Sequence, residues 1–199
     1  MSFSIRQPSD GSIIIDDGDI DLGTKGAPAS GSLTVKAYQF GPFIRYDFTL
    51  IAARVTVTDG AASGSHGSLK LLDLPEGAYT FIGCRQDYTA FAEGAALTGG
   101  AGDAAFEIGV GTTAISAAAD GTLGNGVNEN IGQAVSVTLS GGTGTGTAVD
   151  GAKTTALNGT ATALDINLNW SGTAATIDAT STIDVTGTIS VLLANMGDD

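Results

Sequence analysis

The sequence predicts an all-β protein: an antiparallel β-sandwich or jelly-roll-like single domain with an extended N-terminal arm. Two observations favour this class. Apolar and polar residues alternate in several short segments, the pattern of strands with one buried and one solvent-facing side. The 199 residues also include 30 glycines and only 6% aromatic residues, which suits short strands separated by frequent turns. Long segments with helical periodicity are scarce, which leaves room for one short helix at most.

The clearest alternation lies near the C-terminal end of the chain. Residues 164–170 place Leu164, Ile166, Leu168 and Trp170 on one side of a strand and Asp165, Asn167 and Asn169 on the other. Residues 183–193 repeat the pattern, interrupted only by Gly187. We therefore expect two strands here, each with its apolar side in the core and its polar side in water.

Earlier strands are predicted at 33–37, 44–48, 55–57, 69–74, 78–84, 106–110 and 135–139. The apolar parity switches between residues 44–48 and 55–57, which predicts a bulge or a sheet-to-sheet crossing at 50–53. Residues 1–30 are interrupted by glycines and Pro28, so they are predicted as an arm, and 31–199 as one domain.

Several segments are predicted as turns or loops. Residues 59–68 and the long surface loop 111–132 are poor in large apolar residues. The Gly/Thr alternation at 141–147 is read as a loop between paired strands or, less simply, a linker. Asn158-Gly159 predicts a type I′ hairpin that leads into the strand ending at Trp170.

Charge excludes some functions. The formal net charge is −13, and residues 101–199 contain Lys153 as their only base. A phosphate backbone would be repelled, so we expect no nucleic-acid partner. The simpler interpretation of the acidic charge is solubility and protection from self-association. A sharper interpretation is that the more balanced N-terminal half docks on a partner while the acidic half faces solvent. No apolar stretch is long enough to predict a membrane span or a signal peptide.

The chemistry-bearing residues do not form a convincing catalytic, cofactor or metal site. The run Asp16–Asp21 lacks the glycine and glutamate positions of an EF-hand loop, so a solvated turn is preferred to a looser metal site. His66 is the only histidine; with Asp59 or Asp73 and a serine it could form a triad, but it lies in a predicted loop. Cys84 is predicted as a buried, inert thiol. Trp170 is predicted as core, with sugar stacking as the alternative.

Two C-terminal segments resemble structural proteins of tailed bacteriophages. They are 159–169 (Gly-Thr-Ala-Thr-Ala-Leu-Asp-Ile-Asn-Leu-Asn) and 183–189 (Ile-Asp-Val-Thr-Gly-Thr-Ile), followed by Asn195-Met196-Gly197-Asp198-Asp199. In that family these segments close the chain as a pair of β-strands. The turn Leu74-Pro75-Glu76-Gly77 is similar too.

The resemblance implies a non-enzymatic virion protein, foremost a capsid decoration (cement) protein on the outer surface of the head. Such a protein is synthesised in the host cytoplasm, binds the major capsid protein lattice and is expected as a homo-oligomer, with a trimer favoured. An arm that orders on docking would add contact area. The alternative is a tail, fibre or adhesin-like module that binds a surface glycan, for example through residues 111–132.

Overall fold

The computed structural model describes residues 4–6, 14–16, 23–59, 65–93, 105–116, 123, 128–138, 143–149, 156–158, 164–172 and 181–196. Every regular element within these ranges is a β-strand. The strands are β1 (Ser4–Arg6), β2 (Ile14–Asp16), β3 (Thr24–Lys25), β4 (Ser32–Phe40), β5 (Phe43–Asp59), β6 (Ser65–Asp73), β7 (Ala78–Glu93), β8 (Ala105–Gly111), β9 (Gly132–Thr138), β10 (Thr143–Val149), β11 (Ala156–Asn158), β12 (Asp165–Gly172) and β13 (Ser181–Asn195).

Eleven of these strands form one antiparallel sheet that curls into a nearly closed barrel. The order around the barrel is β10-β7-β13-β5-β6-β12-β8-β9, with β11 added to β7, β3 to β6 and β4 to β5. β9 lies beside β10, so the two ends of this order approach each other. β1 and β2 pair with each other in a separate hairpin. The predicted all-β, antiparallel class is confirmed.

The predicted irregularity at residues 50–53 is a β-bulge within β5. Opposite β13, the register steps from Ala53 paired with Val185 to Leu50 paired with Gly187. Ala52 takes a positive φ of 48° at this step, a conformation that L-residues adopt mainly at such irregularities. The bulge keeps both Leu50 and Ala53 buried. It also separates the half of β5 that pairs with β4 from the half that pairs with β6.

A row of aromatic side chains crosses the barrel interior. Ring centroids lie 5.4 Å apart for Tyr88 and Phe91, 5.3 Å for Phe91 and Phe106, and 5.3 Å for Phe106 and Trp170. The row links β7, β8 and β12, and all four side chains are buried. Trp170 is fully buried, which confirms its assignment to the core. Cys84 is also buried, as predicted, and is not part of a disulfide.

Two segments predicted as loops are strands. β6 starts at Ser65, so the second half of the 59–68 loop prediction is wrong, and residues 60–64 lie outside the described part of the chain. Residues 143–149 form β10 against β7, although Gly/Thr alternation suggested a loop. Small residues can pair along a neighbouring strand through backbone hydrogen bonds alone, and this pairing does not need an apolar pattern.

The predicted hairpin at Asn158-Gly159 is also wrong. Strand β11, which ends at Asn158, pairs with β7, whereas β12 pairs with β6 and β8. The two strands on either side of the Asn-Gly pair are therefore not neighbours. A dipeptide signal describes local turn preference, whereas the partner of each strand is chosen by long-range packing.

The segment just before β4 lies against the barrel. β3 pairs with β6, and the amide of Gly26 donates to the carbonyl of Leu71 at 3.0 Å. The amide of Arg54 donates to the carbonyl of Ser30, also at 3.0 Å. The end of the proposed arm, residues 23–30, thus runs alongside β5 and β6.

Candidate interaction surface

The polar side of β12 is covered by protein. Residues Ile166 to Gly172 are buried on both faces of the strand, so the expectation that Asn167 and Asn169 face water is wrong. The cover is the segment between β8 and β9, whose described residues 112–116, 123 and 128–131 we call the strap. Ile115, Leu123 and Ile131 of the strap are buried. The prediction that 111–132 is a surface loop is therefore wrong for these three buried residues, whereas Thr113, Ala114 and Ser116 are exposed.

Asn169 forms four side-chain hydrogen bonds, three of them to the strap and one to β6. Its Oδ1 accepts from the hydroxyl of Ser68 at 2.8 Å and from the amide of Ile115 at 3.0 Å. Its Nδ2 donates to the carbonyl of Thr113 at 2.9 Å and to that of Asn128 at 2.8 Å. Both ends of the carboxamide are thus saturated in a fully buried position, the condition under which a buried polar group is tolerated.

Further polar residues tie the strap to itself and to the neighbouring strands. Asn130 Oδ1 accepts from the amide of Thr112 at 2.9 Å, and Nδ2 donates to the Thr112 hydroxyl at 2.9 Å. Glu129 Oε2 accepts from the amide of Ala134, and Glu107 Oε2 accepts from the amide of Leu123. The side chains of Asn130, Glu129 and Glu107 therefore bond to groups of the same chain.

His66 lies in a strand, which corrects its predicted position in a loop. It is opposite Thr58 on β5 and opposite Ser171 on β12, and Ser171 is opposite Glu107 on β8. The serine thus stands between the imidazole and the carboxylate, whereas a hydrolytic triad needs the imidazole in the middle. Asp73, one of the two aspartates considered for the triad, lies at the far end of β6, where its Oδ2 is 3.6 Å from Lys70 Nζ. The side chain of the other, Asp59, is outside the described part.

The acidic run at residues 16–21 is almost entirely outside the described ranges; the structure places only the backbone of Asp16, in β2. Across the described residues, no three His, Cys, Asp or Glu side chains are grouped so that they could hold a metal ion. The same residues include no helix that is long and apolar enough to cross a membrane.

The outward side of β4, β5, β13 and β7 forms a continuous surface that we call the outer wall. Strand pairing places its residues in cross-strand rows. One row is Lys36, Asp47, Ser190 and Arg85, and the next is Tyr38, Arg45, Leu192 and Gly83. These rows contain three bases and one carboxylate, in a chain whose formal net charge is −13.

Ion pairs and a ring contact hold the side chains of the outer wall. Arg54 binds Asp184 through two contacts, at 2.7 and 2.8 Å. Hydrogen bonding to Asp184, and then its charge, raise the pKa of Arg54. Asp47 accepts from Arg45 at 2.9 Å and from the Ser190 hydroxyl at 2.7 Å. The Arg45 guanidinium also lies 4.6 Å from the centre of the Tyr38 ring, a cation–π distance.

One end of the outer wall is apolar. The large exposed apolar side chains of the described residues are Phe40 (67%), Phe43 (46%), Ile51 (58%), Ile82 (40%) and Met196 (70%). All but Ile51 lie at the end formed by the β4–β5 turn, the last residues of β13 and the start of β7. We call these four residues the apolar tip. The composition of the chain showed that its N-terminal half is less acidic, but no sequence pattern predicted that these four residues would lie at the same end of the sheet.

The chain matches no family model, no curated protein and no solved structure. The fold and the surface geometry are therefore the basis on which a function is proposed.

Proposed function

We propose that this protein is a non-enzymatic structural protein of a tailed-bacteriophage virion, a decoration protein that binds the outer surface of the assembled head. The virion part of this proposal rests on the resemblance of residues 159–169 and 183–189 to structural proteins of tailed bacteriophages. The observation that supports a structural role is the bonding of the buried polar residues. Asn169 and the strap residues Asn128, Asn130 and Glu129 form internal hydrogen bonds that fix a covering segment on a barrel wall. Such an arrangement builds a rigid body.

Two further features support a binding role. The chain has a formal net charge of −13, which favours solubility before assembly. The barrel also presents the apolar tip, and apolar groups exposed together are typical of protein interaction sites. The sugar-stacking alternative loses its main candidate, because Trp170 is inside the barrel.

A decoration protein of this kind acts by mass action. A protein that binds the assembled lattice and not the free subunits stabilises the lattice by the free energy of binding. Many copies, each attached through a modest interface, would clamp neighbouring capsid subunits against the pressure of packaged DNA. We expect the protein to act as a homo-oligomer, with a trimer favoured, since closed symmetry lets one surface repeat over a symmetric shell.

The test is cryo-electron microscopy of heads assembled with and without this protein. We expect regular density of this barrel on the outer head surface, absent from heads that lack the protein. Heads lacking it should also release DNA at a lower temperature. Density confined to the tail, or no density on the particle, would reject the head-decoration function and favour the alternative, a tail, fibre or adhesin-like module that binds a surface glycan.

A further inference from the structure

We infer that the apolar tip, with the basic rows beside it, is the surface through which this protein docks, and that its partner is an acidic protein surface with apolar groups at its centre. The tip comprises Phe40, Phe43, Ile82 and Met196; the bases are Lys36, Arg45 and Arg85. That the partner is the capsid lattice rests on the proposed function. The location of the surface and its chemistry rest on the structure.

Three separate parts of the chain bring the apolar tip together. Phe40 and Phe43 are paired across the turn that joins β4 to β5, where Gly41 takes a φ of 58°. Met196 follows β13, and its amide donates to the carbonyl of Ala78 at 2.7 Å. The amide of Asn195 donates to the carbonyl of Pro42, also at 2.7 Å. The end of β13 is thus bonded both to the β4–β5 turn and to the start of β7.

Ile82 is exposed because of a second bulge. Opposite β13, Gly83 pairs with Leu192 and Phe81 with Leu193, so Ile82 is an extra residue on β7. Phe81 stays in the core, and Ile82 points outward beside the partly buried Leu192. β-bulges commonly re-aim a side chain in this way. The bulge thereby extends the apolar tip across two strand spacings, roughly 10 Å.

The backbone beneath the tip is held by strand pairing and by the two terminal hydrogen bonds. Docking therefore requires little ordering of the chain, and a preordered surface loses less conformational entropy on binding. Aromatic residues at the centre of a patch, with charged residues at its edge, are the usual anatomy of a protein interface.

Charge indicates the chemistry of the partner. The two rows next to the tip contain Lys36, Arg45 and Arg85 but only one carboxylate, Asp47. An acidic surface would complement these rows and would be steered toward them. A second copy using the same surface would place like charges opposite each other, which is unfavourable. The structure therefore favours a different acidic protein over a two-fold pair of copies.

The experiment measures co-sedimentation of the full chain with DNA-filled heads that lack it. Phe43→Asp puts a carboxylate at the centre of the tip, and we expect it to weaken binding more than about tenfold, as for a central interface aromatic residue. Ile51→Asp is the matched control: the same strand and a similarly exposed apolar residue, but about 27 Å away at the strand rise. We expect the control to bind like the wild type. Circular dichroism and melting of each variant confirm that it is folded.

Charge is tested separately. Arg85→Glu should weaken binding, and added salt should weaken wild-type binding more steeply than binding by this variant, because salt screens the attraction that the variant lacks. An affinity of the wild type that does not change with salt would overturn the acidic-partner part of the inference.

The outcomes separate this inference from the proposed function. If the wild type binds heads and Phe43→Asp binds equally well, or if both Asp variants lose binding equally, the docking surface is wrong and the function stands. If the wild type does not bind heads, the function and the named partner are both wrong. Sedimentation velocity would then decide about the surface: self-association lost only in Phe43→Asp would assign it to contacts between copies of this chain.

Discussion

At the scale of single residues, Asn169 connects two distant parts of the chain. Its hydrogen bonds reach Asn128, which is 41 positions away, and Ser68, which is 101 positions away. Each bonded group would be left in a buried environment without a partner if the carboxamide were removed. An unsatisfied buried group destabilises a fold more than a formed hydrogen bond stabilises it.

We predict that Asn169→Ala lowers the free energy of unfolding by about 3 kcal/mol, because several buried groups lose their partner. Urea unfolding followed by circular dichroism measures this. Asn167→Ala is the matched control on the same strand: Asn167 is also buried, but its Nδ2 has no partner among the described residues. The control should lose clearly less stability. Equal losses would mean that the volume of the side chain, and not its bonding, matters here.

Tyr88 makes the stability of the folded protein pH-dependent in the alkaline range. Burial, and then the charge of Cys84, raise the pKa of Tyr88 well above its ordinary value of 10.0. The folded protein therefore keeps the Tyr88 proton where the unfolded chain releases it. The stability linked to this proton is complete below pH 10.0 and is lost as the pH rises toward the folded-state pKa.

We predict that Tyr88→Phe lowers stability at neutral pH, because the Tyr88 hydroxyl donates to Gln86 Oε1 at 2.7 Å; the loss should be about 1 kcal/mol. The stability difference between wild type and variant should then narrow as the pH rises from about 9 to 11. The wild type loses stability over this range because its unfolded chain releases the Tyr88 proton, whereas the variant has no such proton. Urea unfolding across this range measures the difference. A difference that stays constant would contradict the linkage.

At the scale of elements, β13 is the central strand of the longest pairings, between β5 and β7. Gly187 interrupts its apolar alternation because the register shifts there on both sides. A Cβ on Gly187 would lie 2.3 Å from the carbonyl oxygen of Asp87 and 2.8 Å from the Cα of Tyr88. Both atoms belong to backbone, so neither can move without distorting β7.

We predict that Gly187→Ala destabilises the protein by about 1–3 kcal/mol, the usual effect of overfilling a packed site. Gly83→Ala on the neighbouring strand is the matched control, since a Cβ there meets no atom within 4 Å. Thermal melting of both variants tests the pair. If the Gly187→Ala protein melts at the same temperature as the control, the strands separate easily at this bulge.

At the scale of the whole molecule, the aromatic row provides a probe of cooperativity. Trp170 is the only tryptophan of the chain, and it packs against Phe106 in the barrel interior. We predict blue-shifted emission with little acrylamide quenching in the folded protein. Its urea transition should coincide with that of far-UV circular dichroism, because one core that unfolds together shows the same transition by every probe. Two separate transitions would mean that parts of the sheet unfold independently.

Alternation predicted the positions of most core strands. It failed where a strand lacks large apolar residues, as in β10, and where a polar side is covered, as in β12. The apolar tip was not predictable, because a single Phe or Met on a polar face is common in any soluble protein. Whether such residues form one patch depends on which strand ends are adjacent, and that is a property of the sheet order.

The all-β class, the apolar sides of β12 and β13, an irregularity at residues 50–53 and the acidic charge could be read from the sequence alone, because these follow from the identity and spacing of neighbouring residues. Three features follow only from the three-dimensional arrangement: which strands pair, that Asn167 and Asn169 are buried with the strap bonded to Asn169, and that basic and apolar residues share one end of the outer wall. These features join residues far apart in the chain, and the free energy of such contacts depends on the packing of the whole barrel.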